Sequence, residues 1–426
     1  MSTATWSSIT AAVEAQEAAL LERLRRVIKI DSTVPPGRTY RQVVDAVEPE
    51  FQRLGCRTER VVMPESAWRA IPLPLEGERV NLVATLPAPG KPPLTVYTHM
   101  DVVPVDAGWT KDPWGADLVD GRVYGRGVSD MKGTIATTLT ALAVLRALGA
   151  PPAWEITYVL CTDEEIGVYA GMRYLAERGY VKPPVLCLEG SQDPLRVLGG
   201  NGAVDFTITT VGRSCHSGRN YMGVNALEAM VPIMAELLAL KPVAEARRSA
   251  IPMAPDPTPG APTHLSPMFN LDVIHAGSKS NIVPGECTLI VNRRYIPEER
   301  FEDVVAEVEA AVARGRAKSN ALDVKMNVMH IYPAYRQSAD HPLALQVMKA
   351  LQLAHGYRVD EFVATGMGGS TDMADVARVL NTDKIVMLGP GRRAESRAHG
   401  NDESVRLSDL KAHAAELVYL FTTPAT

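Results

Sequence analysis

The chain has 426 residues, a hydrophobic fraction of 46%, a charged fraction of 22% and a formal net charge of −5. At this length two domains are expected, because a single hydrophobic core stops growing beyond about 250–300 residues. The mild acidity excludes the electrostatic attraction on which nucleic-acid-binding and membrane-surface proteins depend, so neither nucleic acid nor a membrane is expected as a partner.

The N-terminal thirty residues predict an amphipathic helix, since Glu14, Glu17 and Glu22 interrupt any apolar run of the kind found in a signal peptide. No segment has the roughly 20 apolar residues of a membrane-spanning helix. The cysteines are odd in number and include no Cys-x-x-Cys pair, so we expect buried thiols in a reducing cytoplasm. They are Cys56, Cys161, Cys187, Cys215 and Cys287.

Short apolar strands alternate with helices in residues 1–202, which predicts the first part of an α/β domain with a mostly parallel sheet. The strands are LTVYTHMDV, ITYVLCTDE and PVLCLEG, and the helices cover 132–148 and 171–178.

The pattern changes over residues 203–320, where AVDFTITTVG, MFNLDVIHAG and ECTLIVNRRYI read as half-exposed strands and 226–240 and 301–317 as helices. This predicts an inserted, smaller α+β domain with an antiparallel sheet. Six prolines within 252–267 predict an exposed, semi-rigid loop. Residues 321–426, with a helix over 341–355 and the strand KIVMLGPG, are expected to complete the α/β domain.

Five residues that can bind a divalent metal ion follow apolar strands or lie in the loops after them: His99, Asp130, Glu165, Glu189 and His399. Ligands of open α/β sheets bind beyond the carboxyl ends of the strands, so these side chains are expected to converge. Imidazole and carboxylate groups bind zinc-like ions, and one aspartate can bridge two ions about 3.5–4 Å apart. Asp130 suits the bridging position.

Two further acids flank these ligands. Asp101 lies two residues after His99, so its carboxylate can accept the second imidazole N–H. Glu164 and Glu165 would point in opposite directions from an extended strand, so one can coordinate while the other faces a bound water. An isolated HxD or EE pair is more often a surface feature. The coincidence of all these residues at strand ends indicates a site that activates water.

The motifs THMDVVP, GRVYGRGVSDMKG, TDEEIG, LEG, CHSGRNYMGVNALEAM, NIVPGECTLIVNRRYIP, TGMGGSTDMAD and AHGNDE, in this order, resemble the M20 metallopeptidase and amidohydrolase family. The resemblance covers nearly the whole chain. It implies a catalytic α/β domain interrupted by a lid that mediates dimerisation. It also implies one metal ion on His99, Asp130 and Glu189 and another on Asp130, Glu165 and His399, with Asp101 orienting His99 and Glu164 as the general base.

The resemblance also implies roles for the inserted domain. His216 would polarise the scissile carbonyl, and Asn281 and Arg294 would bind a substrate carboxylate. Arg293, on the opposite face of the strand from Arg294, is expected to be solvated. Gly369 and the glycines near it, which precede Ser370, either form a turn or let backbone N–H groups approach a substrate anion.

Glutamate at position 189, as in deacylases and carboxypeptidases of the family, implies a substrate with a free carboxylate beside the cleaved C–N bond. Two local departures are the run HSGRNYMG, where many members have a proline, and VNR, where several have an aspartate before the arginine. We expect a cytoplasmic N-acyl amino acid deacylase that forms a homodimer or an oligomer of dimers and uses two ions of zinc, manganese or cobalt.

Other functions are compatible with the same residues. They are an aminohydrolase acting on an aromatic amino acid of the nitroanthranilate type, and a carboxypeptidase or dipeptidase. A serine hydrolase using Ser214 or Ser217 is disfavoured because the sequence has no G-x-S-x-G motif. A non-catalytic binding protein would be expected to have lost some of the ligands or the base, and all are present.

Overall fold

The computed structural model describes residues 4–424. The chain divides into two compact units. Unit 1 contains the residues up to Val197, Gln337–Ala364 and the residues from Asp375 onward, and unit 2 contains Leu198–Arg336 and Thr365–Ala374. The predicted fold class, a mostly parallel α/β domain with a separate antiparallel α+β domain, is confirmed.

In chain order, the helices of the described residues are α1 (Trp6–Glu14), α2 (Glu17–Ile28), α3 (Tyr40–Arg53), α4 (Glu65–Trp68), α5 (Gly133–Ala147), α6 (Gly171–Glu177), α7 (Ala226–Glu245), α8 (Phe301–Ala317), α9 (Pro342–His355), α10 (Met373–Leu380) and α11 (Leu407–Thr422). The strands are β1 (Arg57–Met63), β2 (Arg79–Leu86), β3 (Pro93–His99), β4 (Asp117–Val119), β5 (Arg122–Tyr124), β6 (Glu155–Cys161), β7 (Val185–Cys187), β8 (Leu195–Gly200), β9 (Gly202–Val211), β10 (Met268–Ala276), β11 (Glu286–Tyr295), β12 (Asp323–Tyr332), β13 (Tyr335–Arg336), β14 (Val363–Met367), β15 (Ile385–Met387) and β16 (Ser404–Arg406).

The main sheet of unit 1 has the strand order β1-β2-β6-β3-β7-β15. The pairings of β6 with β3, β3 with β7 and β7 with β15 are parallel, and those of β1 with β2 and β2 with β6 are antiparallel. Every residue of β3 after Pro93 is buried, as is usual for a parallel strand covered on both faces. The carboxyl end of β3, at His99, therefore lies in the middle of one sheet edge.

The helices of unit 1 pack around α5, which is buried along most of its length. Gly133, its first residue, is required there, because a Cβ would lie 2.1 Å from the carbonyl oxygen of Val128. The N-terminal segment forms two helices, α1 and α2, interrupted at Ala15 and Gln16, where one helix was expected. The structure has no helix within residues 4–424 that is long and apolar enough to cross a membrane.

Unit 2 contains an antiparallel sheet of order β10-β11-β9-β12, with α7 and α8 packed on one face. Side chains of β11 alternate between buried and half-exposed, as expected for a sheet covered on one side. Phe206, Ile208, Leu289 and Val291 form its core with residues of both helices.

The boundaries of unit 2 differ from the expected 203–320. Strand β12 pairs with β9 along nearly its whole length, so unit 2 continues to Arg336, and it starts at Leu198. The proline-rich stretch forms neither helix nor strand, as predicted, and its residues from Pro255 to Pro259 are exposed. Its ends are anchored, because Ile251 and Leu265 pack in a small core with Ile296.

Candidate metal centre

Strand register places three of the predicted ligand positions along one edge of the unit 1 sheet. Tyr97 of β3 is opposite Cys187 of β7, so His99 at the end of β3 and Glu189 just after β7, each two residues further on, lie at the ends of neighbouring parallel strands. On the other side of β3, His99 is opposite Cys161, the last residue of β6, and Glu165 follows in the next loop. The three neighbouring strands β6, β3 and β7 therefore bring the positions of Glu165, His99 and Glu189 to the same edge of the sheet, as expected.

Asp130 lies between two imidazoles. Its Oδ1 is 3.3 Å from His99 Nε2, and its Oδ2 is 3.2 Å from His399 Nε2. His399 Nε2 is also 3.1 Å from Glu165 Oε2. One ligand atom each of His99, Asp130 and Glu165 lies within 4.8 Å of the others. The two oxygens of Asp130 thus face different histidines, the arrangement that a bridging carboxylate requires.

The residues of this cluster fit a divalent metal ion. His99 Nε2 and Glu165 Oε1 are buried without a hydrogen-bond partner, and the approach of Asp130 to His99 lacks hydrogen-bond geometry. A buried polar atom without a partner costs free energy, and both atoms belong to residues of the cluster. A set of imidazole and carboxylate ligands is common to zinc, manganese and cobalt sites.

The charges of the cluster are strongly coupled. Burial and the nearby charge of Asp130 raise the pKa of Glu165 to about 7. Hydrogen bonds to Asp130 and Glu165 raise the pKa of His399 to about 10. Burial opposes ionisation of Asp130, but the neighbouring imidazoles of His399 and His99 nevertheless lower its pKa. The buried carboxylates thus demand positive charge, which a metal cation would supply.

Asp101 contacts His99 differently from the expected arrangement. His99 Nδ1 lies 3.0 Å from the backbone carbonyl oxygen of Asp101, whereas the Asp101 carboxylate is 3.7 Å away. The carboxylate is directed elsewhere because its Oδ2 accepts a hydrogen bond of 2.9 Å from the backbone N–H of Glu165. Asp101 therefore contacts both His99 and Glu165, the first through its main chain and the second through its side chain.

Glu164 and Glu165 begin a 3-10 turn, Glu164–Ile166, and do not extend β6 as expected. The turn follows Asp163, whose φ of +64° is in the left-handed region. Its carboxylate is held by the Tyr40 hydroxyl at 2.7 Å and by Arg79 Nε at 3.1 Å. These contacts fix the start of the turn from which Glu164 and Glu165 project. Glu164 is only 7% exposed.

Glu403 and Arg126 connect the two loops that carry Asp130 and His399, a function that the sequence did not reveal. Glu403 Oε1 accepts hydrogen bonds from the backbone N–H groups of Ser129 and Asp130, at 2.9 and 3.0 Å. Its Oε2 accepts from Gly127 N at 3.1 Å and Arg126 Nη1 at 2.8 Å. Arg126 Nη2 donates to the carbonyl oxygen of His399 at 3.3 Å.

Both residues are buried in this network, Arg126 at 1% and Glu403 at 0% exposure. They occur inside the motifs GRVYGRGVSDMKG and AHGNDE, next to the ligands, and this proximity was the only signal that could have identified them.

The predicted substrate-binding residues lie in unit 2. Arg294 Nη1 donates to Ser370 Oγ at 2.8 Å. Gly369, beside Ser370, has open space where a Cβ would be. Arg293 is buried and paired with Glu299 at 2.5 Å, so the expectation that it would be solvated is wrong.

His216 is exposed at the start of a 3-10 turn, Ser217–Met222, and its Nδ1 accepts from Gly218 N at 3.1 Å. Ser217 N donates to the carbonyl oxygen of Asn281 at 3.0 Å. His216 and Asn281 therefore lie on neighbouring segments.

An α/β domain with clustered carboxylates and imidazoles at its sheet edge, accompanied by a second α+β domain, is typical of metal-dependent hydrolases. Residues 95–423 match the model of Peptidase family M20/M25/M40, and the chain belongs to this family. It is a hydrolase of amide or peptide C–N bonds.

Known relatives resemble the chain over most of its length. A succinyl-diaminopimelate desuccinylase of Xanthomonas oryzae pv. oryzae is 30% identical over 79% of this chain and 84% of its own. The di-peptidase Dug1p of Saccharomyces cerevisiae superimposes with a TM-score of 0.78 at 17% identity, covering 99% of this chain and 100% of its own. The Bacillus subtilis YXEP protein, a dinuclear metal-binding peptidase, superimposes with a TM-score of 0.65 at 11% identity, covering 96% and 98%.

Proposed function

We propose that the protein removes the acyl group from an N-acyl amino acid and that it uses two divalent metal ions. The observation that carries this proposal is the position of Asp130, whose two oxygens face different imidazoles. His99, Asp130 and Glu189 would hold one ion, and Asp130, Glu165 and His399 the other. Zinc, manganese and cobalt all suit these ligands.

Two such ions, when bound, lower the pKa of a water molecule toward roughly 7. Glu164 is the proposed general base, which accepts the proton of this water and returns it to the departing nitrogen. The position of Glu164 supports this assignment, since it lies in the turn after β6 beside Glu165, which faces His399, and its charge acts on His99. Burial of Glu164 keeps its carboxylate from bulk solvent.

The proposed substrate carries a free carboxylate, which Arg294 and Asn281 would bind. The guanidinium of Arg294 is half-buried and already oriented by Ser370. Arginine presents a planar pair of donors that matches a carboxylate. An N-acyl amino acid has such a carboxylate beside the cleaved amide, and the desuccinylase relative supports an acyl amine as the substrate.

We also propose a homodimer, in which His216 of the partner subunit completes each site and polarises the scissile carbonyl. Two features of unit 2 support an interface. Strand β10 is at the edge of its sheet with Ile274 45% exposed, and α7 exposes Val231 and Val243 at 58% and 59%. Exposed apolar side chains on an unpaired edge strand favour association with a second copy.

The test is hydrolysis by protein loaded with zinc, manganese or cobalt. The panel contains N-acetyl and N-succinyl amino acids, dipeptides, and amino-substituted benzoic acids, so that each alternative activity is represented. The proposal expects release of free amino acid from acylated substrates, and it expects Glu164→Gln to retain metal while losing about 10²–10⁴-fold in rate. Exclusive cleavage of dipeptides, or of aromatic amines, would replace the proposed substrate. Loss of metal from Glu164→Gln would show that Glu164 is a ligand.

A further inference from the structure

Four polar residues form a continuous chain of hydrogen bonds in unit 2. Asn292 of β11 is opposite Asp205 of β9, and its Nδ2 donates to Asp205 Oδ1 at 2.6 Å. Asn292 Oδ1 in turn accepts from Arg294 Nε at 3.1 Å. At the other end of the guanidinium, Nη1 donates to Ser370 Oγ, and Ser370 donates to the carbonyl oxygen of Asn201 at 2.9 Å.

In each of these hydrogen bonds, the donor and the acceptor are determined by the chemistry of the groups. An ionised carboxylate only accepts hydrogen bonds, so Asp205 requires the NH₂ group of Asn292 to face it. The amide oxygen must then face Arg294. Without a carboxylate at position 205 the amide could rotate by half a turn, and its NH₂ group would oppose the N–H of the guanidinium. Asp205 therefore determines which group Arg294 meets.

The same bonds leave one edge of Arg294 available. Its Nε and one Nη1 hydrogen are used, whereas Nη2 has no hydrogen-bond partner among residues 4–424. Nη1 and Nη2 together form the edge that binds a carboxylate through two parallel hydrogen bonds. The Arg294 side chain is half-buried, so its N–H groups are only partly hydrated.

We propose that Asp205 is a positioning residue that acts through Asn292 to hold the Nη1–Nη2 edge of Arg294 ready for the substrate carboxylate. The inference rests on the proposed function only in requiring a substrate with a carboxylate. By orienting Arg294, Asp205 and Asn292 would help the enzyme to prefer substrates with a free carboxylate over their esters. Neither residue has to touch the substrate.

Asp205→Asn is the first variant, because it preserves the shape of the side chain and removes only its acceptor-only character. We expect KM for an N-acetyl amino acid to rise about five- to tenfold, the loss from one misdirected hydrogen bond, while kcat changes less than about twofold. The methyl ester of the same substrate should keep its KM. Asn292→Asp should be equally harmful to use of the acid, because it places two carboxylates where one hydrogen bond of 2.6 Å was.

The double variant Asp205→Asn/Asn292→Asp supplies the decisive measurement. It reverses the donor and acceptor across the two strands, yet it again presents an oxygen to Arg294 Nε, so the preference for the acid should return. Asp272→Asn is the matched control. Asp272 also acts electrostatically on Arg294, but it is exposed and is not one of the residues that form the hydrogen-bond series from Asp205 to Ser370. This variant should therefore retain the preference for the acid over the ester.

Binding of acid and ester is also measured by thermal shift, which does not depend on turnover. An unchanged acid preference in Asp205→Asn, or no recovery in the double variant, would overturn the inference and leave the proposed function intact. Equal effects of Asp205→Asn and Asp272→Asn would show that charge alone matters, which also overturns it. If the wild type cleaves no acylated amino acid yet prefers a dipeptide to its methyl ester, the proposed function fails, and the same variants measured on the dipeptide decide the inference.

Discussion

Replacement of Glu403 by glutamine weakens the connection between the Asp130 and His399 loops, while the size of the side chain stays nearly the same. The carboxylate accepts four hydrogen bonds, two at each oxygen. An amide in either orientation turns its NH₂ group toward two donors, and it no longer neutralises buried Arg126. Breaking a buried ion pair at one partner costs about 3–5 kcal/mol, so unit 1 should lose about this much unfolding free energy. Because Asp130 N is one of the donors, metal affinity should also fall about 10–100-fold.

Urea unfolding followed by tryptophan fluorescence measures the first effect, and Trp109, whose ring lies 5.2 Å from the Arg126 guanidinium, reports near the perturbed site. Chelator competition measures the second. Glu395→Gln is the control, because Glu395 also pairs with arginines, Arg122 and Arg406, but is 32% exposed. It should cost no more than about 1 kcal/mol. Equal stability and equal metal affinity of the two variants would refute the connecting role of Glu403.

Three more predictions concern particular residues. Mixed dimers of His216→Ala and Glu164→Gln should regain part of the activity that each parent lacks, and no recovery after confirmed subunit exchange would place His216 outside its partner's site. Burial raises the pKa of Glu416 to about 8, so the folded chain retains a proton that the unfolded chain loses above about pH 4.3. Stability should therefore decline as the pH rises from about 4.3 to 8, and Glu416→Gln should flatten this decline in urea midpoints; an unchanged slope would contradict it. Gly133→Ala should lower the melting temperature sharply because of Val128, and a wild-type value would mean that α5 shifts freely.

The sequence predicted the fold class and the meeting of distant ligands because strand ends of a parallel sheet share an edge. His99, Asp130, Glu165 and His399 each follow a recognisable strand or motif, and the structure brings these four together. The helix over 301–317 was also predicted with its observed bounds. Apolar periodicity and strand order were sufficient for these features.

Other features depend on tertiary contacts that no local pattern contains. The pairing of β12 with β9 extends unit 2 past the expected boundary. Arg293 looked like a surface charge, yet Glu299 neutralises it inside unit 2. Arg126 and Glu403 are far apart in sequence, and only the folded loops show that they join. Asp101 uses its carbonyl oxygen toward His99 because its carboxylate is engaged by Glu165 N.

The central claim is that Asp130 bridges two metal ions, and metal analysis of the purified protein and of Asp130→Ala after dialysis tests it most directly. We predict close to two ions per wild-type chain and the loss of both from Asp130→Ala, because each ion would depend on one oxygen of this carboxylate. A ratio close to one in the wild type, or an Asp130→Ala protein that retains its metal, would contradict the bridged site.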